Sequence, residues 1–526
     1  MAVGQYSGLP TGLLFRHLFP LLAGLGLAIP LMAILRAMLD LGVLMWSGRG
    51  LFHLFSYQTV TEGFFTRDIL AKEVSSLKEL GDLNHQLLLV LGIAAITTFV
   101  CVVASTKSVG KACMVAVPAA FMLLVSLTIR ACLAPGAPNA VLRLLTPDWE
   151  ALTRPSTWLE ATAHAVFSLQ LGLGAFSTFA SYSRFSSNLV RDTAIMTVAH
   201  LVWVLLSTVL TFSLIGLAQL SSYPPINGLT PALVPATVDT GIWLAAATLL
   251  EKAFATLSYG WLWAGLYFIL IILVGVTSLF GYVEVVTSSL FSLKPSMGRF
   301  KPLIAFLVLA LLFLADLILA TQGGIHIYHL LISYIASWPA LLFSLLTVLA
   351  TLLCHGIGHL MRDVADMARL RLHHWVTSHL ATIYYTILPI ALTVSPYMHF
   401  RTNKITSCPS NRVYISGMHN LAAAQTPGPP SPLSPSLGVP PTLLPCSPPS
   451  CSCPPGSIPA THLAQTRGPF QHGQTFLLLL HPSWISPYIL ICSTSSVCSR
   501  RRTGTTRTST LPMRPPQDPQ SKGLQH

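Results

Sequence analysis

Nine apolar stretches, each about the length needed to cross a lipid bilayer, punctuate the first 397 residues. They run over 19–47, 86–106, 112–133, 162–181, 193–219, 258–290, 302–321, 328–354 and 376–397. A spanning helix needs about 20 apolar residues. In lipid only helices or closed barrels satisfy every backbone polar group. Charged residues make up 9% of the chain, against about 25% in an ordinary soluble domain. The reading is an all-α integral membrane protein. Residues 240–257 carry Glu251 and Lys252 and are too polar to span, so a loop helix lying at the surface is expected there.

Charge orients the bundle. With the end before the first span taken as cytoplasmic, the inside loops hold eleven Lys/Arg and three acids. The opposite loops hold ten acids, from Glu62 to Glu251, which outnumber their basic residues. That asymmetry is the positive-inside pattern. The net charge of +13 does not point to nucleic acid, because residues 398–526 alone hold ten Lys/Arg against one acid, Asp518. A basic tail is not a basic domain.

Composition breaks after residue 397. The chain divides into a transmembrane domain, 1–397, and a Pro/Ser-rich low-complexity tail, 398–526, with a weak apolar stretch at 475–494 that holds two prolines. Of the ten cysteines, Cys101, Cys113, Cys132 and Cys354 lie in the apolar part without metal or redox spacing. The tail cysteines Cys446, Cys451 and Cys453 sit among prolines and lack partners for a zinc site. No dinucleotide, phosphate-loop, zinc-protease or nucleophile-elbow signature occurs in a fitting context, so no enzyme is indicated.

Chemistry is concentrated where helices can break. FSLQLGLGAFSTFASYSRF, within the 162–181 span and just beyond it, carries Gly172 and Gly174 with Ser168, Ser177 and Ser181. Gly and Ser permit unwinding at membrane depth, which exposes carbonyls to an ion or substrate; close packing through small residues is the competing explanation. Breaks are expected near 170–176 and near 274–278. Asp40 is an intramembrane carboxylate, a functional candidate by default. Arg36, one turn away at i,i+4, offers it a local ion pair instead, and that pairing is the favoured reading.

Several motifs then resemble the neurotransmitter:sodium symporter (solute carrier 6) family. These are KSVGK at 107–111, LTPD at 145–148, the Gly-rich break, and SYSRFSSNLVRD at 181–192. SLFGYVEVV at 278–286, GGIHIYHLLISYIAS at 323–337, MRDVADM at 361–367 and GQYSG at 4–8 add to them. The resemblance covers roughly residues 4–397. It implies a partial inverted-repeat, leucine-transporter-like bundle in the plasma membrane. It also implies a sodium-coupled symporter of amino acids or amine-like solutes, working by alternating access. The alternative is a non-transporting truncated or divergent homologue that at most associates with a full-length partner. Because the likeness begins at the end of the second helix, the first helix and the twelfth are expected to be missing, and this exact chain is expected not to transport.

The resemblance also assigns positions. Phe167 stands at the aromatic lid over substrate, with Asp40, Gly172 and Gly174 around the same site. Ser168, Val274, Thr277 and Ser278 stand at Na⁺-site positions, Val274 through its carbonyl. Ordinary bonding of a helix hydroxyl to the preceding turn competes for Thr277 and Ser278. His200 occupies the place of a sodium-binding Asn, His164 that of a Gln near chloride, Val204 that of a chloride-site Ser, and Ile332 that of an acidic outer-gate residue. These departures weaken the case for chloride dependence. Substrate identity, ion stoichiometry and oligomeric state are not legible.

Residues 398–470 are expected to lack packed structure, because Pro and Ser bury too little apolar surface to offset chain entropy. Added protease should therefore cut this stretch from one face of native membranes; protection on both faces would contradict the reading.

Overall fold

The computed structural model describes residues 1–60, 64–70, 81–103, 106–146, 149–153, 155–220, 250–293, 300–335, 338–368 and 383. Among these the architecture is helical throughout, with no strand beyond one isolated bridge between Leu83 and Thr321. The tail from 398 and most of the 376–397 stretch lie outside the described residues.

Two short helices, α1 (Ala2–Ser7) and α2 (Thr11–Leu18), lead into α3 (Leu25–Tyr57). Then follow α4 (His85–Val102), α5 (Thr106–Cys132), α6 (Ala137–Leu145), α7 (Trp149–Thr153), α8 (Pro155–Ser168), α9 (Ala175–Ser181) and α10 (Leu189–Leu220). The second part holds α11 (Gly260–Leu293), α12 (Lys301–Asp316), α13 (Gly324–Ile335), α14 (Trp338–Ala350) and α15 (Ile357–Ala368). Five helices among the described residues are long and apolar enough to cross a membrane. They lie within α3 with the turn before it, α4, α5, α10 and α11, where the expected spans 19–47, 86–106, 112–133, 193–219 and 258–290 fall.

The remaining expected spans are broken or short. Residues 162–181 divide into α8 and α9. The 328–354 stretch divides into α13, α14 and a π-helical turn, Thr351–His355. Gly356, with φ of 75°, then turns the chain by 90° into α15. That is a left-handed conformation glycine adopts without a Cβ clash.

The centre of the bundle is the packing of α11 against α3. Both helices are apolar nearly all round, so hydrophobicity alone does not choose their contact face. Small residues do, because they let helix backbones approach closely. A Cβ built on Gly275 of α11 would fall 2.7 Å from Leu44 Cδ2 of α3, and one on Gly50 of α3 would fall 2.9 Å from Phe268 Cζ of α11. Opposed faces carry exposed apolar side chains, including Leu89, Ile93 and Ile96 on α4 and Phe306, Leu307 and Leu311 on α12.

Two expectations need correction. The 274–278 segment is not broken, since α11 is helical from Gly260 to Leu293. The Thr277 hydroxyl folds back onto the Leu273 and Val274 carbonyls at 3.1 and 2.8 Å, a bond a helix accommodates without unwinding. The described part of 240–257 is not a surface helix either. Leu250, Ala253, Phe254 and Leu257 are buried, spaced to form one apolar face. Glu251 is buried too and accepts the Phe65 backbone N–H at 3.1 Å.

Overpacking a tight helix contact costs about 1–3 kcal/mol. Gly275→Val should lower the thermal stability of the detergent-purified protein. Gly265→Ala, on the same helix with its nearest neighbour 3.8 Å away, should leave it unchanged.

Candidate functional site at the break between α8 and α9

The chain leaves the helix at Ser168 and re-enters it at Ala175. Between them Gln170, Gly172 and Gly174 have φ of 50°, 80° and 80°. A Cβ at Gly172 would fall 2.6 Å from Ser344 Oγ and 2.9 Å from the Ala340 carbonyl of α14. One at Gly174 would fall 2.8 Å from Ile29 Cγ2 and 2.9 Å from Thr11 Oγ1. Both glycines are therefore required twice over, by backbone hand and by space. The expected break near 170–176 is present, and it is held between α14 on one side and α2–α3 on the other.

Freed backbone groups must find partners at this depth. Leu171 N–H donates to Val166 O at 2.9 Å. The Gly174 carbonyl accepts from Thr11 Oγ1 at 2.7 Å, Ser177 Oγ at 2.9 Å and Thr178 N–H at 3.0 Å. Thr11 also lies 2.8 Å from the Thr178 hydroxyl. A short element before the first long helix thus closes the start of α9. Tyr282 of α11 donates its hydroxyl to Gln170 Oε1.

Asp40 has a partner. Its Oδ1 accepts from Arg36 Nη2 at 3.0 Å, and the two side chains are 3% and 9% exposed. Tyr282 is also among the polar groups facing Arg36, so Asp40, Arg36, Tyr282 and Gln170 gather where α3, α11 and the break meet. Asp40 Oδ2 is buried and accepts no hydrogen bond among the described residues.

The other expected positions separate into two groups. Ser168 is buried and lies 3.2 Å from His200 Nε2 of α10, so a sidewall of the break is formed by a hydroxyl and an imidazole. Val274, Thr277 and Ser278 are buried on α11, where the Val274 carbonyl takes the Thr277 hydroxyl. The Phe167 side chain lies outside the described residues. No three His, Cys, Asp or Glu side chains among the described residues meet as a metal cluster.

Two side chains that order this region were not singled out from sequence. Glu284, fully buried on α11, accepts from Tyr182, just after α9, at 2.8 Å and from Lys301 of α12 at 2.9 Å. A lone acid in an apolar run, with a lysine just past the helix end, was the available signal. Gln5 of α1 donates Nε2 to the carbonyls of Arg184 and Ser187, each at 3.0 Å, and of Phe185 at 3.3 Å. It pins the loop that follows α9.

The helix interrupted between Ser168 and Ala175 is closed by side chains from α2 and α11. The family described as sodium:neurotransmitter symporters matches residues 53–410, more than half of the chain.

This chain belongs to the sodium:neurotransmitter symporter family.

It is a multi-pass membrane protein, and the family is one of transporters, not enzymes. Similar proteins include the sodium- and chloride-dependent creatine transporter 1 of Homo sapiens, 28% identical over 300 residues, covering 56% of this chain and 46% of that protein. The sodium-dependent dopamine transporter of Bos taurus is 26% identical over 316 residues, covering 59% and 44%. The sodium- and chloride-dependent GABA transporter 2 of Mus musculus is 26% identical over 406 residues, covering 70% and 65%. The chain spans about half the length of the first of these relatives.

Breaking a buried ion pair from one side costs about 3–5 kcal/mol, while replacing both partners by apolar groups is often neutral. Arg36→Met should therefore destabilise the purified protein strongly, and Arg36→Met with Asp40→Leu should recover most of the loss. Melting curves of the two variants in detergent check this.

Proposed function

We propose that this protein is a sodium-coupled symporter of a small amino acid or amine-like solute, acting by alternating access in the plasma membrane. The observation that carries the reading is the break at 169–174, whose left-handed residues Gln170, Gly172 and Gly174 pack against α14 on one side and α2–α3 on the other. Discontinuous helices of this kind place unpaired backbone groups and helix ends around substrate and ions in transporters. Relatives named for sodium-dependent transport of creatine, dopamine and GABA support the solute class.

In this reading substrate lies against Gly172 and Gly174, with Phe167 closing over it and Asp40 available to a cationic amine through Oδ2. Sodium takes the hydroxyls of Thr277 and Ser278 and the Val274 carbonyl, an oxygen set that suits a hard cation. The Ser168 hydroxyl serves a neighbouring ion. Binding of Na⁺ releases the Thr277–Val274 bond, so the bond of 2.8 Å acts as a placeholder for the ion. Coupling follows if ion and substrate bind one conformation better than the other, since a ligand shifts an equilibrium only by its differential affinity.

A second reading, a non-transporting homologue that associates with a transport-competent partner, is favoured by two observations. Asp40 already holds Arg36, and Ser168 already holds an imidazole that offers nitrogen where Na⁺ prefers oxygen.

Reconstitution in liposomes with an imposed sodium gradient, and a panel of amino acids and amines, separates the two. Saturable uptake that needs sodium, and that Thr277→Ala with Ser278→Ala weakens at least tenfold in apparent sodium affinity (about 1.4 kcal/mol), would support the symporter and overturn the expectation that this chain does not transport. Uptake indistinguishable from empty liposomes across the panel would leave the second reading.

A further inference from the structure

The buried acids among the described residues are Asp40, Glu251, Glu284 and Asp316. The first three have donors. Asp40 takes Arg36, Glu284 takes Tyr182 and Lys301, and Glu251 takes the Phe65 N–H. Asp316, the last residue of α12, is 0% exposed, and neither of its carboxyl oxygens has a hydrogen-bond partner among the described residues. A buried polar atom without a partner calls for an explanation. Asp316 shares one face of α12 with the buried Leu309 and Leu312, at helical spacing, and α12 packs against α3, α4 and α11. Just past Asp316 the chain is closed off. A Cβ on Gly42 of α3 would fall 2.8 Å from Leu319 Cδ1. The Asn84 N–H donates to the Ala320 carbonyl at 3.1 Å, and the Gln322 N–H to the Asp82 carbonyl at 3.3 Å. The start of α4 is thereby tied across the end of α12.

The charged and titratable groups of the surrounding helices are engaged elsewhere. Arg36 is held by Asp40 and Lys301 by Glu284, while Arg49 and His53 turn to Asp68. His85 is exposed at the start of α4. Neither it nor His326 of α13 bonds the Asp316 carboxyl among the described residues. A hard cation would need several further oxygens, and no three His, Cys, Asp or Glu side chains meet among the described residues. A carboxylate removed from water without a counter-charge or a donor takes up a proton instead. We propose that Asp316 is a proton-binding site, a neutral carboxylic acid kept in the apolar seam between α12, α3 and α4 that gives up its proton only when the seam opens to water. Opening the seam then releases a proton, so the packing of α12 and the proton concentration are linked, and raising the pH favours the open seam. The inference stands on one carboxyl group and does not depend on the chain transporting anything. Such an acid adds to a lipid-soluble carbodiimide. Its oxygen bonds to the central carbon, its proton goes to one nitrogen, and migration of the acyl group from oxygen to nitrogen leaves an N-acylurea with no group lost.

The test treats the full-length protein in lipid nanodiscs with dicyclohexylcarbodiimide at about pH 8, well above the ordinary carboxylate value of about 4, and maps adducts by peptide mass spectrometry. The expected result is an adduct at Asp316 that excess Na⁺ does not diminish, with Asp316 left unmodified by a water-soluble carbodiimide. Infrared spectra of the wild type and Asp316→Asn at the same pH give a second reading that needs no reagent to enter. The amide keeps the shape and neutrality of a protonated acid, so the variant is expected to fold. The C=O stretch of a protonated carboxylic acid should be present in the wild type and lost in the variant. If no adduct forms, that band decides, upholding the proposal when present and overturning it when absent. Loss of only an ionised-carboxylate band in the variant overturns it. Labelling that excess Na⁺ suppresses at fixed pH would make Asp316 a cation ligand and overturns it equally.

Discussion

A chain in lipid cannot leave a backbone amide or carbonyl unsatisfied, and several helices of this structure are arranged around a place where one of them breaks. Between Ser168 and Ala175 the regular ladder stops. Each carbonyl or amide released there would cost several kcal/mol in hydrocarbon. The repairs come from far along the sequence, with Thr11 closing Gly174 and Tyr282 bonding Gln170. The break is therefore a tertiary object. It exists only when α2, α3, α11 and α14 are already in place, and it gives those helices a reason to meet.

The buried charges follow the same economy. Arg36 and Asp40 neutralise each other within a single turn of α3, so the pair travels into the bundle as a unit. Glu284 and Lys301 instead come from different helices, and Tyr182 adds the position just past α9 to the same carboxylate. The first pair constrains the interior of one helix. The second sets how α11, α12 and the end of the broken segment register against one another. Both reach toward the same break, one from the middle of the bundle and one from its end.

Much of this was readable from residue order alone. The apolar runs located α3, α4, α5, α10 and α11, because twenty apolar residues in lipid have few alternatives to a helix. Gly172 and Gly174 marked the break, since spacing and residue type agree there with the need for left-handed backbone. The Arg36–Asp40 bond was readable because it is local. What escaped had long-range causes. Thr277 and Ser278 have the composition of a helix that opens, yet whether a hydroxyl opens its helix or bonds back to it depends on what lies opposite, and here it bonds back. Glu251 looked solvent-exposed until the loop carrying Phe65 is brought over it. The meeting of Ser168 and His200, 32 residues apart, depends on the approach of α10 to α8, which no periodicity encodes.

Gln5 carries a consequence of another kind. Its amide nitrogen donates to the carbonyl oxygens of Arg184, Phe185 and Ser187 in the loop after α9, and glutamate has nearly the same size and shape. Exchanging the amide for a carboxylate would keep the packing and reverse the polarity, setting a negative charge against three negative dipoles. A glutamine and a glutamate, neighbours in any scale of chemical similarity, are opposites in this crevice. Inherited variation at such a position is poorly judged by resemblance of side chains. It is judged by the sign of the field that the loop presents.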